Sequence, residues 1–208
     1  MMSDKSMNNE DEITLGVLSS VQENHEVTQR GLSKDLGIAL GLTNAYLKRC
    51  MRKGLIKVQQ IPRNRYAYYL TPEGFSEKSR LTTQFLSTSF NFYRRARSQC
   101  EDLFQQCENK GWRRVSLYAV SDLAEIALLC ANRFDVELVS IVDPKHDGEF
   151  YHHVRIARSL GDAGPFDAII LTDLNDAQGS YTYLHSQLSG GNILAPDFMH
   201  ISPDSKGP

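Results

Sequence analysis

Residues 28–74 read TQRGLSKDLGIALGLTNAYLKRCMRKGLIKVQQIPRNRYAYYLTPEG, and this stretch decides the fold of the first half of the chain. It contains nine Lys and Arg residues but only two carboxylates. Its patterns follow the order helix, glycine turn, helix and hairpin. A positive segment of this kind predicts a negatively charged partner.

Three helices are predicted in and just before this stretch. Helical spacing of apolar residues places the first over residues 13–22. Thr28 is a suitable N-cap for a second helix that runs to about Leu36, and Gly37 ends it. The third helix covers residues 41–53 and stops at Gly54. Two helices joined by a tight glycine-containing turn are typical of a helix-turn-helix.

The third predicted helix carries a polar stripe that contains donors and no carboxylates. Asn44, Lys48 and Arg52 recur every four residues, and Arg49 lies beside them. Base edges and phosphates require such donors from a helix in the major groove. The alternative is a solvated helix face, which usually mixes both signs of charge.

The segments LIKVQQI (55–61) and RYAYYL (65–70) predict two strands, with Pro62-Arg63-Asn64 as the turn between them. A hairpin directly after a recognition helix is a wing, whose Arg63 and Arg65 would reach phosphates or a minor groove. The candidate DNA-binding residues are Thr28, Gln29, Arg30, Leu42, Asn44, Ala45, Lys48, Arg49, Arg52, Arg63 and Arg65.

Net charge divides the 208-residue chain into parts of opposite sign. Residues 1–27 carry −5, residues 28–80 carry +8, residues 81–114 carry +3 and residues 115–208 carry −8. The positive part suits a polyanion and the last part would be repelled by one, which indicates two functional modules.

A long helix is predicted over residues 72–109, with Thr71 as its cap, and it would span roughly 55 Å. It carries two apolar stripes. One contains Phe85, Ser89, Phe92, Ala96 and Leu103, and the other contains Leu86, Phe90, Tyr93, Cys100, Phe104 and Cys107. Two stripes predict pairing with a second copy of the chain, and packing against the C-terminal domain is the alternative.

Strand and helix patterns alternate after Gly111. Strands are predicted in RRVSLYAV (113–120), VELVSIVDP (136–144), DAIILTDL (167–174) and residues 193–195, and helices in DLAEIALLCANRF (122–134) and residues 154–160 and 178–188. This alternation predicts a Rossmann-like parallel α/β domain.

The predicted organisation is α/β with two domains. A disordered N-terminus (1–11) precedes a winged helix-turn-helix (12–72), a dimerisation or linker helix (73–112), a Rossmann-like regulatory domain (113–200) and a flexible C-terminus (201–208). The chain has neither an apolar signal-peptide core nor a run of about 20 apolar residues, so we expect a cytoplasmic protein.

The turn after the first C-terminal strand, Ala119 to Asp122, lacks the glycines that a dinucleotide requires. We therefore expect no NAD or other cofactor, no catalytic residues, and a helix-capping role for Ser121. Candidate ligand-binding residues at the carboxyl ends of the strands are Tyr118, Ser121, Asp143 and Asp173. Asp173 and Asp176 could equally cap the following helix. The segment KHDGEFYHH (145–153) is predicted to be a polar loop rather than a metal site.

Three linked motifs resemble the MarR-type winged helix-turn-helix regulators. They are QRGLSKDLGIALG (29–41), NAYLKRCMRKGLIK (44–57) and YYLTPEGFSEKSRLTTQFL (68–86). The branch associated with bacterial exopolysaccharide and lipopolysaccharide gene clusters is the most similar. The resemblance implies a homodimeric transcriptional regulator that binds double-stranded DNA. Cys50 stands where the family usually has a larger aliphatic residue.

The segment VSLYAVSDLAEIALL (115–129) resembles the first strand, turn and helix of Rossmann-like modules that recognise sugars and nucleotides. A sugar nucleotide is therefore the first candidate effector. Three alternatives remain open: an enzyme or nucleotide-binding protein fused to a DNA-binding domain, a thiol-based redox regulator that uses Cys100 or Cys107, and a protein-interaction module.

Overall fold

The computed structural model describes residues 8–62, 65–188 and 191–202. The chain forms two compact units, Met1–Asn91 and Phe92–Pro208. The first combines helices with a hairpin, and the second contains a largely parallel sheet. None of the helices in the described ranges is long and apolar enough to cross a membrane.

The first unit has the helix, helix, helix, hairpin order of a winged helix-turn-helix. Its elements are α1 (Asn9–Glu23), α2 (Gln29–Asp35), α3 (Leu40–Arg52), β1 (Ile56–Ile61), β2 (Arg65–Leu70) and the first part of α4 (Pro72–Asn109). The strands pair antiparallel, with Ile61 opposite Arg65 next to the turn. These bounds agree closely with those predicted from apolar periodicity and glycine positions.

Helix α1 begins four residues earlier than predicted. The side chain of Asn8 accepts a hydrogen bond of 2.8 Å from the backbone N–H of Asp11 and thereby caps the helix. Residues 9–11 are consequently helical, and the prediction that they are disordered is wrong. The rest of the predicted disordered N-terminus, residues 1–7, lies outside the described residues, as does the larger part of the predicted flexible C-terminus, residues 203–208.

The core of the first unit is assembled from every one of its elements. Its fully or nearly fully buried apolar residues are Val17, Leu18, Val21, Val27, Leu32, Leu47, Cys50, Leu55, Ile56, Tyr68 and Leu81. Leu32 and Leu47, one on each helix of the helix-turn-helix, are completely or almost completely buried. The inward faces of α2 and α3 therefore fix which of their residues point outward.

Thr71 joins the end of the hairpin to the start of α4. Its backbone N–H donates to the carbonyl oxygen of Leu55 at 3.0 Å, and its hydroxyl donates to the carbonyl oxygen of Gly54 at 2.6 Å. The same hydroxyl oxygen accepts from the N–H of Gly74 at 3.0 Å, as expected of a helix cap. A Cβ atom at Gly74 would overlap the carbonyl oxygen of Leu55. Position 74 therefore requires glycine.

The second unit is a six-stranded sheet with strand order β5-β6-β4-β3-β7-β8. Its elements are the rest of α4, β3 (Arg114–Tyr118), α5 (Asp122–Ala131), β4 (Glu137–Val142), β5 (Phe150–Tyr151), β6 (Val154–Ala157), β7 (Ala168–Leu171), α6 (Ala177–Gln187) and β8 (Ile193–Leu194). Every neighbouring pair is parallel except β5 and β6.

The helix predicted over residues 154–160 is wrong, because residues 154–157 form strand β6. Val154 and Ile156 are buried while Arg155 between them is exposed, which is the two-residue alternation of a strand. The segment then closes in a short 3-10 turn, Leu160–Asp162, which the hydroxyl of Ser159 caps.

Alternate residues of the central strands face two separate apolar layers. Val115 and Leu117 of β3 pack into one layer, and Tyr118 packs into the other. The first layer also contains α5 and part of α4, and the second contains Leu184 of α6. The sheet is therefore covered on both faces, as parallel sheets generally are.

Part of α4 belongs to the core of the second unit. Ala96, Cys100, Phe104 and Cys107 have no exposed surface and pack against β3 and α5. Burial raises the pKa of the Cys100 thiol to about 12 and that of the Cys107 thiol to about 11. Both thiols stay protonated and shielded at neutral pH, which argues against the redox alternative. This half of the predicted dimerisation helix packs within its own chain.

We expect Gly74→Ala to lower the free energy of unfolding by about 1–3 kcal/mol, because the added methyl group overlaps a backbone carbonyl that cannot move freely. Gly41→Ala is the matched control. No atom lies within 4 Å of its added Cβ, so the variant should be up to about 1 kcal/mol more stable than the wild type. Urea unfolding followed by circular dichroism measures both. Equal stability of the two variants would contradict the assigned packing at Thr71.

Candidate nucleic-acid interface

The outward face of α3 combines apolar and cationic side chains. Leu42, Ala45, Lys48 and Arg52 are exposed at spacings of three or four residues, while the opposite face buries Thr43, Leu47 and Cys50. This outward face carries no carboxylate. Methyl and cationic groups at this spacing on one helix can contact thymine methyl groups, guanine acceptors and phosphates.

Asn44 lies at the edge of this face rather than at its centre. Its side chain is half-buried, and its Oδ1 atom is buried without a hydrogen-bond partner among the described residues. The sequence pattern of Asn44, Lys48 and Arg52 placed it centrally. The burial of its neighbours Thr43 and Leu47 shifts the exposed face toward Ala45 instead. An orphaned amide oxygen is costly, so rotation of this side chain toward a donor would be favourable.

The predicted cations fall into two groups according to their partners. Within the described part of the chain, Arg30, Lys48 and Arg52 are exposed and make no ion pair. Arg49 pairs with Glu10 of α1, and Arg65 pairs with Glu26 at 3.0 Å. Phosphates can therefore be bound by the first group directly, whereas they must compete with carboxylates for the second.

The start of α2 and strand β2 border a single cavity of about 450 Å³. The cavity is lined by Glu26, Val27, Thr28, Gln29, Arg30, Arg65, Tyr66 and Tyr68. The N–H of Tyr68 donates to the carbonyl oxygen of His25 at 2.8 Å and so holds the hairpin beside this helix. Four predicted DNA-binding residues are thus brought together, whereas Arg63 lies outside the described residues.

The sequence pattern did not single out three features of this surface. Tyr66 is 55% exposed at the cavity, and its signal would have been an aromatic residue next to Arg65 on the wing. Glu10 and Glu26 are far in sequence from the arginines that they neutralise. No local pattern predicts such pairs.

The predicted ligand site at the carboxyl ends of the strands is occupied by internal hydrogen bonds. The Ser121 hydroxyl donates to the carbonyl oxygen of Thr172 at 2.6 Å and accepts from the N–H of Ala124. The carboxylate of Asp143 accepts from the backbone N–H groups of Val120 and Lys145, each at 2.9 Å. These side chains hold the loops in place.

Asp173 and Asp176 shape the start of α6. Burial opposes ionisation of Asp173, but hydrogen bonds from the Ser180 hydroxyl and from two backbone N–H groups outweigh it and lower the pKa of Asp173. Asp176 accepts from the N–H of Gly179 at 3.0 Å and caps the helix. The helix-capping alternative agrees with this geometry.

Tyr118, the fourth predicted ligand residue, lies largely buried at the end of β3, with its ring centre 6.1 Å from that of Tyr183. Burial is the main cause that raises the pKa of the Tyr118 hydroxyl, and the nearby Tyr183, Asp173 and Asp143 raise it further. Residues 145–153, predicted to be a polar loop, contain the short strand β5 (Phe150–Tyr151), and before it Nδ1 of His146 accepts from the N–H of Gly148 at 3.0 Å. Nowhere in residues 8–62, 65–188 and 191–202 do three His, Cys, Asp or Glu side chains converge as metal ligands would.

Residues 10–57 match a protein family described as winged helix-turn-helix DNA-binding. The match covers α1, α2, α3 and the start of β1. The first unit thus has a winged helix-turn-helix fold, and its three helices match a family described as DNA-binding. A search of curated proteins gives no significant match.

Several solved transcriptional regulators match part of the chain. The PcaV regulator of Streptomyces coelicolor, with its natural ligand, is 20% identical over 42% of this chain and 62% of its own, with a TM-score of 0.37. The Staphylococcus aureus MepR–DNA complex is 25% identical over 41% of this chain and 62% of the MepR chain, with a TM-score of 0.36.

A MarR family transcription regulator is 19% identical over 39% of this chain and 56% of its own, with a TM-score of 0.36. The chain thus spans less than two thirds of the length of each of these three proteins.

We expect Glu26→Gln and Glu10→Gln each to strengthen DNA binding about two- to fivefold at low salt, because each frees an arginine from an exposed ion pair. Fluorescence anisotropy with a duplex selected from a random pool by the wild type measures the affinity. Glu137→Gln is the control, since it removes the same charge from an exposed position of the second unit. If Glu26→Gln and Glu10→Gln bind the duplex with the same affinity as the wild type and the Glu137→Gln control, the paired arginines do not contact DNA.

Proposed function

We propose that this protein is a homodimeric transcriptional regulator of the MarR type, in which α3 and the hairpin β1–β2 contact double-stranded DNA. The observation that carries the proposal is the outward face of α3. Its Leu42, Ala45, Lys48 and Arg52 are exposed, and it carries no carboxylate. A solvated helix face would mix positive and negative charges, whereas a helix that enters a major groove requires donors and small apolar groups.

Charge distribution supports the same orientation. Residues 28–80 carry a net charge of +8, and Arg30, which makes no ion pair with any described residue, lies beside the hairpin at the cavity that borders β2. Phosphate contacts supply most of the affinity of a DNA-binding protein but no sequence information. We therefore assign Arg30, Lys48 and Arg52 chiefly to affinity, and Leu42, Ala45 and the edge residue Asn44 to sequence preference.

An exposed apolar surface on α4 favours a homodimer. Phe85, Leu86 and Phe90 belong to the first unit, and their exposed fractions are 45%, 46% and 57%. Adjacent large apolar side chains that remain exposed on one helix are typical of an interface. A second copy is the occupant that suits a DNA-binding module best, because a two-fold dimer places two recognition helices on successive turns of the duplex.

The second unit has a regulatory, non-catalytic role in this proposal. Its parallel sheet resembles a Rossmann-like domain, but the turn Ala119 to Asp122 has no glycine, and Ser121 and Asp143 are engaged in loop hydrogen bonds. The resemblance of the N-terminal motifs points to polysaccharide-related genes and hence to a sugar nucleotide as effector. Such a ligand would act by binding two dimer geometries with different affinity.

Lys48→Ala and Arg52→Ala should each weaken binding and lower the slope of log affinity against log salt by about one, since each removes one phosphate contact. Lys145→Ala removes an exposed cation from the second unit and should leave the slope unchanged. Anisotropy titrations on the selected duplex at four salt concentrations give the slopes. Wild-type affinity and slope in both α3 variants would refute the assignment of α3.

Phe90→Asp should convert the dimer into monomers, because a carboxylate cannot be buried unpaired in an apolar interface without a large cost. Leu129→Asp is the matched control, since Leu129 is 60% exposed on α5 and lies outside the proposed interface. Sedimentation velocity at micromolar concentration measures the mass. A monomeric wild type, or a dimeric Phe90→Asp variant, would exclude this surface as the interface.

A further inference from the structure

A cavity of about 460 Å³ lies beside strands β5 and β6 in the second unit. Its lining includes the cations Arg155 and Arg158, the acidic residues Glu149 and Asp162, and Gly148 and Phe150. Residues 115–208 contain only five Lys and Arg residues and carry a net charge of −8. Two of these five cations therefore face one cavity in an otherwise acidic segment.

The guanidinium groups at this cavity lack carboxylate partners. Arg155 and Arg158 each make one long hydrogen bond of 3.4 Å, to the backbone carbonyl oxygens of Asp162 and Asp147. Within the described residues, no carboxylate forms an ion pair with either of them. Each guanidinium has five N–H donors, so most of its donors remain available.

Other arginines of the same unit behave differently. Four of them pair with carboxylates: Arg97 and Arg133 with Glu101, Arg113 with Asp135, and Arg114 with Asp167. Asp162 lines the cavity, but its carboxylate accepts from the Ser159 hydroxyl at 2.6 Å. Arg155 and Arg158 thus lack the carboxylate partners that these four arginines have, although the unit is rich in carboxylates.

The walls of the cavity are held in place before any ligand binds. Phe150 lies opposite Arg155 in the β5–β6 ladder, and its side chain is 61% exposed. The N–H of Gly148 donates to His146, and a Cβ atom at Gly148 would lie 2.8 Å from the His146 ring. The N–H of Ile156 donates to the carbonyl oxygen of Glu149 at 2.9 Å. Such preorganisation lowers the entropic cost of binding.

We propose that this cavity binds a nucleoside diphosphate, free or linked to a sugar. Arg155 and Arg158 hold the diphosphate, and Phe150 provides an apolar surface for a ring. Arginine matches phosphate oxygens with paired N–H donors, and the volume is within the range of small-molecule pockets. The ligand-sensing role then belongs to this cavity and not to the residues predicted at the carboxyl ends of the strands. The regulatory meaning of the site rests on the proposed function, whereas binding itself does not.

Isothermal titration of the full chain with uridine diphosphate and with pyrophosphate tests the proposal. Uridine diphosphate should bind the wild type. The substitutions Arg155→Gln and Arg158→Gln should each lower the affinity for uridine diphosphate about tenfold or more, because each removes a charge-assisted hydrogen bond. Arg133→Gln is the control, since it removes the same charge from a paired, exposed site and should change affinity less than about twofold. Phe150→Ala should lower the affinity for uridine diphosphate more than the affinity for pyrophosphate, because only the former has a ring that Phe150 can contact.

Two results would overturn the proposal: no binding of either probe at millimolar concentration, or equal affinity in the wild type and both cavity variants. DNA binding without uridine diphosphate should be the same in Arg155→Gln, Arg158→Gln and the wild type. Loss of DNA binding in the wild type would count against the proposed function alone, because uridine diphosphate binding is measured without DNA. The two proposals therefore fail separately.

Discussion

The hydrogen bonds of Thr71 are the constraint on which the first unit depends. Its N–H and hydroxyl contact the carbonyl oxygens of Leu55 and Gly54, and the same hydroxyl caps α4 through Gly74. The end of α3, both strands of the hairpin and the start of α4 therefore meet at one buried residue. Because buried polar groups must be satisfied, this junction has little freedom, and the recognition helix and the wing are held as one surface.

Ion pairs within the chain then separate the cations of that surface into two groups, those that have a carboxylate partner and those that do not. In the first unit, Glu10 and Glu26 neutralise Arg49 and Arg65, while Lys48 and Arg52 remain available. Exposed ion pairs are weak, so a polyanion can displace the carboxylates at small cost. In the second unit, Arg97, Arg113, Arg114 and Arg133 likewise pair with carboxylates, whereas Arg155 and Arg158 at the cavity beside β6 do not within the described residues. Where a cation lacks a partner within the chain, an anionic ligand is the natural complement.

Helix α4 uses a single apolar pattern for two purposes. Cys100, Phe104 and Cys107 complete the core beneath the sheet, whereas Phe85 and Phe90 remain exposed. Apolar residues continue along the whole helix, but those at 96–107 pack against the second unit's core and those at 85–90 do not. The alternative of packing within the chain therefore holds for residues 96–107 of the helix, and dimerisation through its exposed first part stays a prediction.

Local chemistry allowed the sequence by itself to determine most element boundaries and the winged helix order. Caps such as Thr28, breaks such as Gly54 and apolar periodicity act within a few residues, and they predicted α2, α3, the hairpin and α4 closely. The start of α1 depends on a similar local cap, Asn8, which lies before the apolar periodicity begins.

Tertiary structure alone decided the features that depend on distant residues. Packing of Thr43 and Leu47 moved Asn44 to the edge of its face, and folding brought Glu10 to Arg49. Pairing with β4 made residues 154–157 a strand, although a short segment with two apolar residues is compatible with either a helix or a strand. Contacts between residues far apart in sequence carry no local signature, so burial, ion pairs and the cavity beside β6 emerge only when the chain is folded.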